Sequence, residues 1–343
     1  MFLLPAHWVK LAWASGRVDP WPLLAIMGGP DGVTRASRAE LLRGGLPLDL
    51  VAGMLSEQDL HSPVPFVLAG QPGYPARLVD LPYAPPVLFY QGCLSALEPT
   101  AVAIVGARRC TSQGRRSAAE LARAVCLAGG VVVSGMAIGI DTAAHREAMV
   151  HAPTVSVLGQ GLWAPQSAGA MRLRREIVEQ GGLILSELLP EFPPQRFTFL
   201  QRNRIIAGLC AAAVVVEAGQ RSGALSTARH ALEAGREVLA VPGHYSQPCS
   251  AGCLTLIEQG ATVVRSPATL VEAAGLTGPR EPAVSGDLPA PARILEDALQ
   301  RGGTLEQLAL RAGIPVVQAC AVLMELELAG LVRRLPGQRY ERV

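Results

Sequence analysis

The stretch "VAIVGARRCTSQGRR" (102–116) determines the fold predicted for this chain. An unbroken apolar run ends at Gly106, and a polar segment typical of a helix follows a short turn. A buried strand, a glycine turn and a helix N-terminus together form a common cradle for phosphate. The stretch therefore predicts an α/β fold that binds an anion, carried either by one nucleotide or by a polynucleotide. It holds four arginines and no acidic residue: Arg108, Arg109, Arg115 and Arg116.

Six more apolar runs follow, and helical stretches such as 117–127 and 226–234 separate them. Runs of this kind are typical of strands that are covered on both faces. The alternation predicts an extended Rossmann-like, doubly wound parallel sheet in a domain over 67–276. The seven predicted strands are AVAIV (101–105), GVVVS (130–134), TVSVL (154–158), LILSE (183–187), AAVVVE (212–217), EVLAVP (237–242) and ATVV (261–264).

Smaller parts flank this domain on both sides. Residues 1–66 predict an N-terminal helical (SAM-like) module, with helices in SRAELLRGG (37–45) and LDLVAGMLS (48–56). A further strand is expected at Val87–Tyr90. Residues 277–288 are rich in proline and glycine and form a predicted linker. Three helices and a terminal hairpin over 289–343 predict a winged-helix domain.

Composition excludes several classes of protein. Half of the residues are hydrophobic, yet no apolar run is long enough to cross a membrane. The seven cysteines lack a framework spacing, and the N-terminus lacks a basic leader, so we expect a mature cytoplasmic protein. Lys10 is the only lysine, which excludes a G-x-x-x-x-G-K-[ST] loop and Schiff-base catalysis at the core. His244, Cys249 and Cys253 match no common metal site, so neither a metal nor a cofactor is predicted.

The predicted site follows from the topology of the sheet. Ligands of such sheets bind outside the carboxyl ends of the strands, so the residues after each strand are candidates for contact with an anion. The candidates at this edge are Gly106, Arg108, Arg109, Ser134, Gly135, Gly161, Arg221, Ser222, Gly223 and Gly243.

The segment "RFTFLQRNRIIAG" (196–208) adds aromatic rings to these arginines, although only 4% of the chain is aromatic. Arginine for phosphate and a ring for a base is the combination that binds single-stranded nucleic acid. In an extended segment both rings would lie on one side, with one of them expected in the core. On a helix, Arg202 and Arg204 would not share a face, and one of the two would be structural. The candidates here are Arg196, Phe197, Phe199, Arg202, Asn203 and Arg204.

Several carboxylates have structural interpretations beside catalytic ones. Asp141 is expected to cap the helix that it opens, with His145 packed beside it. Glu187 and Glu217 end predicted strands, and each is either an acid/base group or an ion-pair partner of a nearby arginine. A dinucleotide enzyme is excluded because the first turn lacks G-x-G-x-x-G and the second strand ends in Ser134 rather than an acid.

Four segments together resemble the DNA-processing protein A (DprA/Smf) family: 102–116, "VVVSGMAIGIDTAAH" (131–145), the long run 202–244 and "GCLTLIEQGATVV" (252–264). The resemblance implies a non-enzymatic cytoplasmic protein that binds and protects incoming single-stranded DNA in natural transformation. It further implies loading of the RecA recombinase and a homodimer. The residues implied for the dimer are Leu254, Ile257 and Val263.

The chain departs from this family at a few positions. Ala107 replaces a serine in the first turn, and Leu254 replaces a residue that is commonly polar. After the third strand, "WAPQSAGAMRLRRE" (163–176) lacks the usual basic contact, for which Arg172, Arg174 or Arg175 are the candidate substitutes.

The alternative function is a nucleotide-processing enzyme of the phosphoribohydrolase type, which the segment "GQRSGALSTAR" (219–229) distantly resembles. Such enzymes carry a catalytic glutamate in a glycine-rich turn. Here Arg229 or its neighbours stand where that acid is needed. The substitution favours binding without catalysis.

Overall fold

The computed structural model describes residues 2–4, 37–43, 60–79, 81, 84–277, 303–312, 316–328, 332–335 and 339–342. The chain divides into two compact units, Met1–Pro279 and Arg280–Val343. In the part of the chain that is described, no helix is long and apolar enough to span a membrane.

The strands of the first unit form a large sheet and a small separate ribbon. The ribbon pairs β1 (Phe2–Leu4) with β2 (Leu60–Ser62). The strands of the large sheet are β3 (Phe66–Leu68), β4 (Val87–Gly92), β5 (Ala101–Val105), β6 (Val131–Ser134), β7 (Thr154–Val157), β8 (Leu183–Ser186), β9 (Ala212–Val215), β10 (Glu237–Ala240) and β11 (Thr262–Val263).

The order in the large sheet is β11-β10-β9-β5-β6-β7-β8-β4-β3. The seven strands from β11 to β8 are parallel, and they are the seven that the apolar runs predict. β4, expected from sequence, pairs antiparallel with β8, and β3 pairs antiparallel with β4. From β5 the chain builds outward through β6 to β8, and then returns to the other side of β5 at β9. The carboxyl ends of β5 and β9 therefore flank the topological switch point, where ligands of open α/β sheets bind.

Helices cover both faces of this sheet. On β5, Val102 and Ile104 pack on one face, with the helices over 112–127, 140–151 and 267–273, while Ala103 and Val105 pack on the other, with the helices over 196–209, 224–233 and 251–258. A strand buried on both faces reads as a continuous apolar run, which is why the sequence signal was strong. The helices are α1 (Arg38–Arg43), α2 (Ala76–Val79), α3 (Ser112–Leu127), α4 (Ile140–His151), α5 (Ala168–Glu179), α6 (Arg196–Leu209), α7 (Ala224–Glu233), α8 (Ala251–Glu258) and α9 (Pro267–Ala273).

Three sequence expectations need adjustment. The helix predicted over 117–127 begins at Ser112, because Thr111 caps it and accepts a hydrogen bond from the Gly114 amide. The segment 196–199 belongs to α6, so the extended arrangement of its two rings is wrong. The predicted helix 48–56 lies outside the described residues, whereas 37–45 contains α1.

The second unit has its own small core. It contains α10 (Leu305–Ala312), α11 (Val316–Leu328), β12 (Gly303–Thr304), β13 (Val332–Leu335) and β14 (Arg339–Arg342), with the sheet order β12-β14-β13. β13 and β14 pair antiparallel as the predicted wing. The first of the three predicted helices (294–303) falls almost wholly outside the described residues. The core consists of Leu308, Ala309, Ala319, Leu323, Leu326, Val332 and Tyr340.

Candidate nucleic-acid interface

A pocket of ≈ 720 Å³ opens at the topological switch point, at the carboxyl ends of β5 and β9. The turn after β5, the loop after β9 and the helices α6 and α7 form its walls. Five arginines and one carboxylate, Asp141, line it among the described residues. Ten of the predicted site residues come together here: Gly106, Arg108, Arg109, Arg196, Phe199, Arg202, Asn203, Arg221, Ser222 and Gly223.

Four of the five arginines present their charge to solvent: Arg108, Arg109, Arg196 and Arg221 are exposed. None of the four forms an ion pair with another described residue. The guanidinium of Arg108 lies 5.5 Å from the centroid of the half-buried Phe199 ring. The pocket therefore offers unpaired positive charge beside one aromatic ring, which suits a phosphate and a base.

Arg202, the fifth arginine, is structural. Its side chain is buried, and its Nη1 donates to the carbonyl oxygens of Gly135 (2.9 Å) and Val157. A Cβ at position 135 would overlap this guanidinium, so a larger residue there would displace the Arg202 side chain. Burial lowers the pKa of Arg202 to about 10, and Arg108 acts in the same direction, whereas Asp141 opposes them. Arg202 thus fixes the floor of the pocket between β6 and β7.

The two residues after Arg202 are engaged within the protein as well. Asn203 is buried and donates to the Gly223 carbonyl (3.1 Å) and the Ser226 hydroxyl (2.7 Å), which ties α6 to the start of α7. Arg204 forms a bidentate pair with Glu187, at 2.8 and 2.6 Å. We expected one of Arg202 and Arg204 to be structural, and in the structure both guanidinium groups are hydrogen-bonded within the protein.

Asp141 is held by backbone groups of the loop before α4. Its Oδ2 accepts from the amides of Gly135 (3.1 Å) and Ala137 (3.3 Å), so its bonds go to the preceding loop rather than to the first turn of its own helix. Burial raises the pKa of this carboxyl, against the effect of Arg202. His145 packs in the same region, buried, with Nδ1 2.9 Å from the Thr154 hydroxyl. These contacts give Asp141 a structural role.

The N-terminus of α3, which the opening stretch predicts as a phosphate cradle, is occupied by a carboxylate of the protein. Glu217, at the end of β9, accepts from the Thr111 amide (2.9 Å) and the Thr111 hydroxyl. A Cβ on Gly114 would overlap this carboxylate, so only glycine allows it to approach the helix. The turn after β5 supplies Arg108 and Arg109 to the pocket, whereas the N-cap residue of α3 is bonded to Glu217.

The helix α7 begins at the pocket, with its N-terminus among the lining residues. Gly223 is the N-cap residue of α7, and it provides no side-chain hydrogen bond to the first turn of the helix. The Ser222 hydroxyl accepts from the Ala224 amide at 3.3 Å, and Thr227 lines the pocket one turn further on. A helix N-terminus attracts anions, so α7 adds to the charge of the arginines. The spacing of Gly223 and Thr227 along one helix face was the signal that could have singled out Thr227.

The remaining candidates lie outside the pocket lining. Ser134 is buried and donates to the Ile104 carbonyl (2.6 Å), and Gly161 is buried against the backbone of 189–190. Phe197 is 42% exposed on α6, whereas Gly243 lies in an exposed loop against Ser250.

The three candidate substitute arginines on α5 do not reach the pocket either. Arg174 is buried and donates to Gln91 (2.9 Å) and to the Leu162 carbonyl, while Arg172 and Arg175 line other surfaces. Arg196 and Arg221 supply additional positive charge to the pocket.

A Rossmann-like domain whose pocket is lined by exposed arginines, in a chain with a second, winged-helix unit, places the protein among the α/β proteins with a doubly wound parallel sheet. The family model of DNA recombination-mediator protein A matches residues 65–275, and that of the DprA winged helix domain matches 278–338. The chain belongs to the DNA recombination-mediator protein A family.

Individual relatives agree with this assignment. Protein Smf of Escherichia coli strain K12 is 38% identical over 293 residues, 82% of this chain and 77% of that protein. The X-ray structure of DprA from Streptococcus pneumoniae matches with a TM-score of 0.66 at 32% identity, over 78% of this chain and 97% of that one. DNA processing protein A from Helicobacter pylori, whose structure is described for its single-stranded DNA binding mode, matches with a TM-score of 0.56 at 28% identity, over 62% and 95%. The family and fold predicted from sequence are confirmed.

Proposed function

We propose that this chain binds single-stranded DNA in the pocket at the switch point, protects it during natural transformation and loads the RecA recombinase onto it. The observation that carries the proposal is a pocket lined by Phe199 and by four exposed arginines, none of which forms an ion pair with a residue that the structure describes. A polyanion with exposed bases matches both features, because arginines neutralise phosphates and a ring stacks on any base. The DNA-binding mode described for the Helicobacter pylori relative supports the same ligand.

Two features favour a polymer over a free nucleotide. The second strand of the parallel sheet, β6, ends in Ser134 rather than in an acidic residue, and the Ser134 hydroxyl donates to the Ile104 carbonyl. The position that binds ribose hydroxyls in nucleotide-binding sheets therefore holds no carboxylate. The positive charge comes from the turn after β5, the start of α6 and the loop after β9. Charge distributed in this way fits several successive phosphates better than one phosphate group.

The proposal also includes the homodimer and the RecA partner that the sequence led us to expect. Leu254, Ile257 and Val263 are partly exposed, on α8 and on the edge strand β11. An apolar patch beside an open sheet edge suits an isologous homodimer. RecA as the partner, and the cytoplasm as the location, rest on the family.

The proposal includes binding without catalysis. In the alternative, phosphoribohydrolase function, an acid on the helix after the glycine turn would have to enter the pocket. The residues of α7 that line the pocket are Ala224 and Thr227, whereas Arg229 is exposed, with its Nε 3.7 Å from Oε1 of Glu233. Asp141 is the acidic lining residue among those described, and backbone amides hold its carboxylate. This arrangement favours a binding protein over a hydrolase.

The test is a salt-titrated binding assay with labelled single- and double-stranded oligonucleotides, run beside an assay for release of free base from nucleoside monophosphates. Four phosphate contacts predict a slope of log K against log salt of roughly −3 for single strands. We expect tight single-strand binding, weaker duplex binding and no base release. Base release with no salt-dependent DNA binding would establish the alternative function.

A further inference from the structure

An exposed pair of stacked rings stands in the loop between β10 and α8. The rings of His244 and Tyr245 lie with centroids 4.5 Å apart and planes 29° apart, and Tyr245 is 83% exposed. β10 is parallel to β9 and β5, so this loop leaves the sheet at the same edge as the pocket. Neither ring lines the pocket, and neither belongs to the core.

The loop is fixed to its neighbours, so the rings have a defined position. The Ala218 amide donates to the Cys249 carbonyl (2.8 Å), which joins the loop to the end of β9. His244 Nδ1 is 2.8 Å from the Ser246 hydroxyl, and the Gln247 amide donates to the His244 carbonyl (3.0 Å). A surface that is ordered before binding loses less conformational entropy when a ligand arrives.

The path from the pocket to these rings is short, and the two loops along it hold no acidic residue. Neighbouring strands are about 4.8 Å apart, so β10 lies about 10 Å from β5. Between them, the loop after β9 supplies Arg221 and Ser222, which line the pocket. The two loops, 218–223 and 241–250, contain one arginine and no acidic residue.

The opposite direction along the edge is mixed in charge, because Arg175 lines a surface there together with Trp163. There the segment after β8 brings Glu187, which pairs with Arg204, and the exposed Glu191. An aromatic ring is also exposed on that side, at Trp163. The direction towards β10 differs in combining exposed rings with connecting loops that hold an arginine and no acidic residue.

We propose that Tyr245, backed by His244, is a second stacking platform, on which the strand bound in the pocket places a base as it continues past Arg221 towards β10. This inference rests on the proposed function and deepens it, because it gives the strand a direction across the sheet edge. A base stacked on an aromatic ring contributes about 1–3 kcal/mol with little sequence preference. That range corresponds to about 5- to 150-fold in affinity.

The test compares the full-length chain with Tyr245→Ala, using oligo-dT of increasing length. A mononucleotide is too short to contact both the pocket and Tyr245, and we expect the two proteins to bind it equally. For longer oligonucleotides we expect a loss of about 5- to 150-fold in Tyr245→Ala. Tyr245→Phe keeps the ring and should retain the affinity. Trp163→Ala removes an exposed ring of the opposite side and should change nothing.

A second readout reports on stacking directly. 2-Aminopurine placed at successive positions of a long oligonucleotide should be quenched in the pocket and again a few nucleotides further on. Only the second quenching should disappear in Tyr245→Ala. Unchanged long-oligonucleotide affinity in that variant, or a loss in Trp163→Ala instead, would overturn this proposal alone. A wild-type chain that binds no oligonucleotide would overturn the proposed function as well.

Discussion

The guanidinium of Arg108 lies over the ring of Phe199, 5.5 Å from its centroid, although the two residues are far apart in the chain. A cation–π contact of this kind holds a flexible arginine near one position while its outer N–H groups stay free for a phosphate. It joins the turn after β5 to α6 across the mouth of the pocket. The charge and the ring that the proposed function requires are thus arranged relative to each other before DNA arrives.

Removing this arginine should weaken DNA binding without unfolding the protein. Arg108→Ala is expected to lower single-strand affinity by about tenfold, as for one hydrogen bond to a charged group. The slope of log K against log salt should become shallower by about 0.7 to 1. The matched control is Arg115→Ala, an exposed arginine on α3 outside the pocket. Equal affinities for the two variants would contradict the role of Arg108.

The two phenylalanines of α6 should behave differently. Phe199 lines the pocket, whereas Phe197 is 42% exposed and does not. Phe199→Ala should cost about 1–3 kcal/mol of binding free energy and lower the melting temperature, because its ring packs against Gly159. Phe197→Ala should leave both nearly unchanged. Fluorescence anisotropy and thermal unfolding measure the two effects, and a larger binding loss in Phe197→Ala would reverse the assignment.

A charge on the partly exposed face of α8 should abolish self-association. Ile257→Glu, and Leu254→Arg one turn earlier, are expected to sediment as monomers, because an isologous interface brings each new charge against its own copy. Thr255→Glu, an exposed position on the same helix, is the control. Sedimentation velocity separates the species, and a monomeric wild-type chain would remove the premise.

Truncation near Pro282 removes the winged-helix unit and should leave most single-strand affinity and any dimer intact. α11 carries no arginine or lysine, and its described surface includes apolar Val316 and acidic Glu327. Exposed basic residues occur instead on β13 and β14, such as Arg334, where they suit weak phosphate contacts. Losses are expected in duplex binding or partner engagement. If the second unit bound one duplex sequence far more tightly than others, this assignment would fail.

His145 should make the protein sensitive to acid. Burial, with a smaller contribution from Arg202, lowers the pKa of His145 from 6.5 to about 3. Between these values the unfolded chain binds a proton that the folded chain does not, so the free energy of unfolding falls as pH falls. The slope reaches about 1.4 kcal/mol per pH unit.

Urea unfolding of wild type and His145→Gln at pH 4, 5 and 6 measures that slope. The variant should lose much of it, since Asp141, whose raised pKa acts in the opposite sense, is common to both proteins. If the free energy of unfolding had the same slope against pH in both proteins, His145 would not be the group that causes the acid sensitivity.

The sequence was sufficient for the parallel sheet because residues such as Val102 and Ile104 lie in runs buried on both faces. It also predicted the edge of the sheet that forms the pocket. It could not assign the roles of the arginines, because Arg202 and Arg204 match the same pattern as Arg196. Their difference depends on long-range partners, the Gly135 carbonyl for Arg202 and Glu187 for Arg204, which no local spacing reveals.

The contact of Glu217 with the first turn of α3 also has a consequence for competition inside a cell. This protein carries an internal ligand that mimics the phosphate of a metabolite, at the helix end where related sheets seat a cofactor. Under the proposed function, a free nucleotide would bind through α7 and the exposed arginines, since Glu217 already accepts from the Thr111 amide at this helix end. A long DNA strand can make many weak contacts at once and so gain binding free energy from each of them, whereas a single nucleotide cannot. Under the proposed function, this carboxylate would favour long strands over single nucleotides independently of base sequence.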